Sequence, residues 1–149
     1  RGKKQGKVVI QTHHPDNLLI NQLIDPKCDY MTIAKGLLEI RKSMMLPPYS
    51  CQAFILCNSK DRTKAFNFLS DIYRKINNLK DEYPNLALSH VLSDKMEKVQ
   101  NRYHFHILVT CISRKTLSLF LTEVRKTVSE ESLPNDVRFA IEVDPITMY

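Results

Sequence analysis

Between Arg62 and Leu79 the apolar residues recur at Ala65, Leu69, Ile72, Ile76 and Leu79, with Phe66 and Tyr73 widening the stripe. That three-to-four spacing predicts an amphipathic helix. A second stripe of Leu117, Phe120, Leu121, Val124 and Val128 predicts another over Arg114–Ser129. Around these runs the period falls to two or the apolar run becomes continuous, as strands require. Cys51–Asn58 (CQAFILCN) and the short Ala87–Leu92 read as strands, with the polar stretch SDKMEKVQN after the second. Tyr103, Phe105, Ile107 and Val109 alternate within a strand over Arg102–Ile112, and Val137, Phe139, Ile141 and Val143 within a last one. The order βαββαβ predicts an α+β, ferredoxin-like sandwich with both helices on one sheet face. The other face would stay open, presenting Arg102, His104, His106, Leu108 and Thr110.

The first third of the chain follows a different rhythm. Lys7–Thr12 (KVVIQT) predicts a short buried strand, and HHPDN breaks it. Asp16 is placed to cap a short helix through Ile24. After Pro26 a longer helix starts at Asp29, with Ile33, Leu37 and Ile40 along one side and Arg41 and Lys42 near its C-terminus, where cations suit the dipole. LPPYS at Leu46–Ser50 stops it, since a diproline cannot continue a helix. The predicted boundary therefore separates residues 1–46 from residues 47–149.

Composition adds little to the fold but narrows the partners. At 149 residues and 43% hydrophobic, the chain suffices for one core plus a fragment of another. The net charge is +6, of which residues 1–49 carry +4, so a phosphate-bearing partner is expected. No apolar run reaches the roughly 18–20 residues that span a bilayer, and no signal-peptide pattern is present. Cys28, Cys51, Cys57 and Cys111 stand apart without a C-x-x-C pair, which predicts free thiols and a cytoplasmic protein.

Candidate chemistry is sparse. His104 and His106 share a strand face, but no third ligand is fixed, so no metal site is predicted. His13 and His14 read as polar turn residues, and Asp144 in EVDP as a turn organiser. GKKQGK is not a G-x-x-x-x-G-K-[ST] loop, because Val8 follows Lys7. Arg114 and Lys115 open a helix, where cations oppose the dipole unless an anion docks; Arg114 is thereby a candidate anion contact. No nucleophile, base and orienter assemble, so this segment is not a self-contained enzyme. From these residues alone, one reading is an independent ferredoxin-like nucleic-acid-binding module, ribosomal-protein-like, behind a basic arm.

Several stretches together resemble the C-terminal end of the primosomal protein N′ (PriA) family of bacterial replication-restart DNA helicases. They are RGKKQGKVVIQTHHPDN, LLEIRKSMMLPPYS, NRYHFHILV, SRKTL and FAIEVDPI, in matching order from the first residue nearly to the last. The resemblance implies that Arg1 is the last arginine of helicase motif VI, a catalytic residue facing the γ-phosphate of ATP. Residues 1–46 would then be the remnant of the second RecA-like lobe, and residues 47–149 the family's C-terminal domain. The implied parent is an ATP-dependent 3′→5′ helicase acting at abandoned forks. It would use ATP and magnesium, and zinc in a cysteine-rich element upstream of this segment, which itself would bind no cofactor. The implied partners are branched and single-stranded DNA, other primosome proteins and the acidic C-terminal tail of single-stranded DNA-binding protein, with no membrane. Arg102, Tyr103 and His104 would contact DNA. Arg114 stands where the family has a tail-binding arginine, and Ser118 where a glutamine is common one turn later. The family's GPAPAP-like stretch is HVLSDKMEK here, and RYHFH lacks the tryptophans often seen in that strand.

Overall fold

Five strands form an antiparallel sheet in the computed structural model, which describes residues 6–145. In chain order the elements are α1 (Leu18–Ile24), α2 (Tyr30–Ser43), β1 (Cys51–Ser59), α3 (Arg62–Leu79), β2 (Leu86–Leu88), β3 (Leu92–Val99), β4 (Arg102–Cys111), α4 (Arg114–Glu130) and β5 (Arg138–Val143). The sheet order is β2-β4-β1-β5, and β3 lies along the same flank of β4 as β2. α3 and α4 thus each connect two parallel strands with a third inserted between them, the split βαβ arrangement of the ferredoxin-like fold. The expected architecture holds.

The core follows from the stripes. α4 buries Leu117, Phe120, Leu121, Val124 and Val128, the five residues its period picks out. α3 buries Ala65, Phe68, Leu69, Ile72 and Ile76. Here the face is rotated slightly from the expectation: Phe68 goes in, while Phe66 remains partly exposed and lies edge-on to Phe105. Both helices pack on Ala53, Ile55 and Cys57 of β1 and Phe105, Ile107 and Val109 of β4. Caps fix the helix starts. The Asp61 carboxylate accepts from the Thr63 and Lys64 amides at 2.9 and 3.2 Å, and Ser113 Oγ from Thr116 N at 3.3 Å.

β3 is a correction. The polar stretch expected to be a connection is an eight-residue edge strand joined to β4 by the two-residue turn Gln100-Asn101, both at positive φ. Two positive-φ residues are what a type I′ hairpin turn demands. The strand has no buried residue, so it lacks the alternation that would betray it.

The chain divides into two compact units, Arg1–Ile40 and Arg41–Tyr149. In the first, Lys7–Thr12 does not form the buried strand its β-branched residues predict: it has no strand neighbour, and Val8 is 87% exposed. A strand needs a ladder partner, and among the described residues of this unit none supplies one. α1 is capped by Asn17, not by Asp16: Asn17 Oδ1 accepts from Leu19 N at 2.9 Å. On α2 the Asp29 carboxylate accepts from Thr32 N at 2.7 Å, while Ile33 is buried and Leu37 and Ile40 are exposed. In the second unit, the Met45 turn at φ 52° and the diproline follow α2, tied by Arg41 Nη1 to Pro47 O at 3.0 Å and Ser50 Oγ to Met45 O at 2.6 Å.

Candidate functional site

Arg102 opens β4 and is drawn inward. Its Nε donates to Asn58 Oδ1 at 2.6 Å, Nη1 to Asp136 Oδ1 at 2.8 Å, and Nη2 to the backbone carbonyls of Asn58 and Asp136. Only 12% of the side chain is exposed. Asp136, at φ 74°, also takes the Lys60 amide at 2.7 Å and Ser59 Oγ at 3.1 Å. The Lys60 amide, then Arg102, hold this carboxyl well below the usual carboxylate range. The guanidinium therefore clasps the ends of β1, β4 and β5 together, with four hydrogen bonds to groups of the fold itself, so a structural role stands beside the DNA contact expected of it.

The linkage sign for Asp136 is that of a depressed acid. Its stabilising contribution is complete above the ordinary value of 3.8 and is lost as pH falls through the lower folded value. Thermal melts from about pH 6 downwards should show a falling midpoint below pH 3.8, and Asp136→Asn should flatten that limb. An unchanged acid limb in the variant would contradict this.

Tyr103 and His104 point to opposite sheet faces, as alternation requires. Tyr103 packs against the core rim with Lys98 Nζ 5.0 Å from its ring centre. His104 lines a groove of about 560 Å³ on the open face, with Leu56, Asn58, Asp94, Arg138 and Glu142 among its walls. His106, on the same face, is buried: its Nδ1 lies 2.6 Å from Asp94 Oδ1 and its ring stands edge-on to Phe54 at 4.8 Å. So the open face is partly closed over by β3. Exposed cations near this end of the sheet include Lys60, Arg62, Lys64, Lys98 and Arg138, none of which the sequence singled out as a contact. Register brings Arg138 beside Asn58 and His104, and Lys98 beside Tyr103.

Arg114 and Ser118 do come together. They line a groove of about 310 Å³ between α4 and β5, with Leu117, Leu121, Ile141 and Val143 as its apolar part and Arg125 further along. Arg114 Nη2 pairs with Asp144 Oδ2 at 2.7 Å, an exposed pair that raises the guanidinium pKa and stabilises weakly. A second hollow of about 440 Å³ shares Arg125 and Ile141 with the first and continues past Val128 to Leu133. Arg125 was missed because it lies eleven residues from Arg114, with no motif joining them.

Arg1 lies outside the described residues. Among the described residues no three His, Cys, Asp or Glu side chains gather as metal ligands, and residues 6–12 form neither helix nor strand around Gly6 that could cradle phosphate. Burial pushes the Cys57 thiol up to about 12, which leaves it protonated and unreactive. Among the described residues no helix is long and apolar enough to cross a membrane.

No family model matches the chain. Among curated proteins it is similar to replication restart protein PriA of Haemophilus influenzae, 32% identical over 145 residues, covering 97% of this chain and 19% of that protein. PriA of Buchnera aphidicola from Acyrthosiphon pisum is 29% identical over 96% of this chain and 20% of its own length. PriA of Rickettsia conorii is 25% identical over 100% of this chain and 22% of its own. The chain thus spans about a fifth of the length of these relatives. Among solved structures, the designed ferredoxin-fold protein LFR1 1 aligns at TM-score 0.48 and 12% identity over 64% of this chain and 85% of its own. The designed protein Foldit4 aligns at TM-score 0.45 and 11% identity over 66% of this chain and 99% of its own.

Proposed function

Taking as premise that this chain is related to replication restart protein PriA along its whole length, we propose that it is the C-terminal part of such a protein. In this reading the parent is an ATP-dependent 3′→5′ DNA helicase that recognises abandoned forks and starts primosome assembly. Residues 1–46 complete its second RecA-like lobe, with Arg1 at the ATP γ-phosphate, and residues 47–149 provide contacts to DNA and to protein. The observation that carries the proposal is the end-to-end similarity to proteins of one name. The exposed apolar residues of the first unit support it: a lobe fragment would set Val8, Val9 and Ile10 beside neighbouring strands of the parent. In this reading the segment is inactive in ATP hydrolysis by itself: Arg1 is its one contribution, and the nucleotide-binding motifs belong to the parent's other segments.

The DNA contact is assigned to the Arg102 end of the sheet, with Arg138 and His104 on its open face and Lys98 with the Tyr103 ring edge on the other. Lysine and arginine there meet phosphates, while the ring and histidine offer faces for unstacked bases. The protein contact is assigned to Arg114 and Ser118, which would receive the acidic tail of single-stranded DNA-binding protein. Fluorescence anisotropy with a labelled forked DNA tests the first assignment. Binding should weaken steeply with salt, and Lys98→Ala with Arg138→Ala should lower the salt slope by about 2, one per phosphate contact removed. DNA binding by the double variant with an unaltered slope would reject this surface.

A further inference from the structure

We infer that the α4–β5 groove binds its acidic peptide as an added strand on the β5 edge, held at both ends by Arg114 and Arg125. This rests on the peptide-binding reading above and adds the mode of binding and a second anchor. Among the described residues β5 pairs only with β1, so its other flank is a sheet edge with no strand neighbour there.

Register tells which backbone groups are on offer. Asp144 N donates to Gln52 O at 2.9 Å, which makes Gln52 and Asp144 a hydrogen-bonded pair. The alternation of an antiparallel ladder then turns the amides and carbonyls of Ala140 and Glu142 towards β1. Those of Phe139, Ile141 and Val143 turn outward. The same three residues send their side chains to the helix face, where Ile141 and Val143 form the apolar side of the groove. One extended segment can therefore bond to the outward groups while its alternate side chains enter between Ile141 and Leu117 and Leu121 of α4.

Charge selects what that segment is. Arg114 and Arg125 line the groove at opposite ends, roughly 16 Å apart along the helix at about 1.5 Å per residue. Four residues of strand cover about 14 Å, so carboxylates at i and i+4 reach both guanidiniums with an apolar residue at i+2 between them. Asp144 competes for Arg114, but the pair is solvent-accessible, with side chains 66% and 45% exposed, so exchange for a peptide carboxylate costs little. A nucleic acid would satisfy the arginines yet leave the outward amide row and the apolar wall unmatched.

The test is amide hydrogen exchange on the isotopically labelled full chain, with and without a synthetic peptide of the sequence Asp-Ser-Ile-Ser-Asp-Phe. Saturation should slow the amides of Ile141 and Val143 by about tenfold or more and leave those of Ala140 and Glu142 unaltered. Binding without that protection overturns the added strand and leaves the acidic-peptide assignment standing. No binding at all overturns both. Displacement of the peptide by a poly-dT oligonucleotide, with the same groove residues perturbed, overturns the choice of peptide over nucleic acid. Val143→Pro deletes an outward N–H without touching the ladder to β1; with an unchanged melting midpoint it should weaken the peptide about tenfold, and full affinity would count against the strand.

Discussion

Arg102→Ala is expected to destabilise the second unit by about 2–3 kcal/mol, whatever it does to DNA binding. The side chain is 12% exposed and its guanidinium donates to Asn58 Oδ1, Asn58 O, Asp136 O and Asp136 Oδ1. Truncation leaves those acceptors facing a gap, and bonds involving a charged partner are each worth about 1.5–3 kcal/mol net. The four do not add: Asp136 is 36% exposed and keeps the Lys60 amide and Ser59 hydroxyl, and water re-solvates the freed acceptors, so the loss stays near the value of one such bond. The three strand ends joined by this clasp come from distant parts of the sequence, so nothing local replaces it. Urea unfolding should show a lower midpoint with an unchanged slope. Arg102→Lys should recover only part of the loss, because a single ammonium cannot reach both carbonyls and the carboxylate as a planar fork does. A variant that keeps its midpoint and loses DNA affinity would make Arg102 a DNA contact and not a clasp.

Arg102 also marks where the sequence ceases to be a guide. The stripe of α4 and the alternation of β4 and β5 are legible because burial is their main cause, and burial writes its period into the chain. Even the helix bounds at Arg62 and Leu79 fall where the stripe and the Asp61 cap place them. An arginine before an aromatic strand reads as a nucleic-acid contact, yet its partner Asp136 lies 34 residues away in a turn that only the folded topology brings near. β3 was illegible for a related reason: an edge strand exposed on both faces has no apolar period, and Gln100-Asn101 is a weaker turn signal than Asn-Gly. Lys7–Thr12 fails in the opposite sense. Its composition asks for a sheet, but the described residues of its unit offer no strand to join.

The α4–β5 groove divides in the same way. Arg114 and Ser118, which a resemblance singled out, do share it, whereas Arg125 and the outward amides of β5 needed the fold. That difference gives the sharpest test of the groove. If the peptide is a strand spanning both arginines, Arg114→Ala and Arg125→Ala should each weaken it, by about tenfold at low salt and much less at about 1 M, where screening shortens to roughly 3 Å. Because the two sites stand roughly 16 Å apart by helix rise with no shared contact, the losses should multiply, giving about a hundredfold in the double variant. Neither side chain is part of the core, so melting midpoints should not move. A peptide seated only on Arg114 and Ser118 predicts a different pattern, in which Arg125→Ala is silent and the double variant matches Arg114→Ala alone. Titration of the four proteins with the same labelled peptide separates the two: a multiplicative series requires an extended ligand lying along α4, and a silent Arg125 confines it to the first turn of the helix.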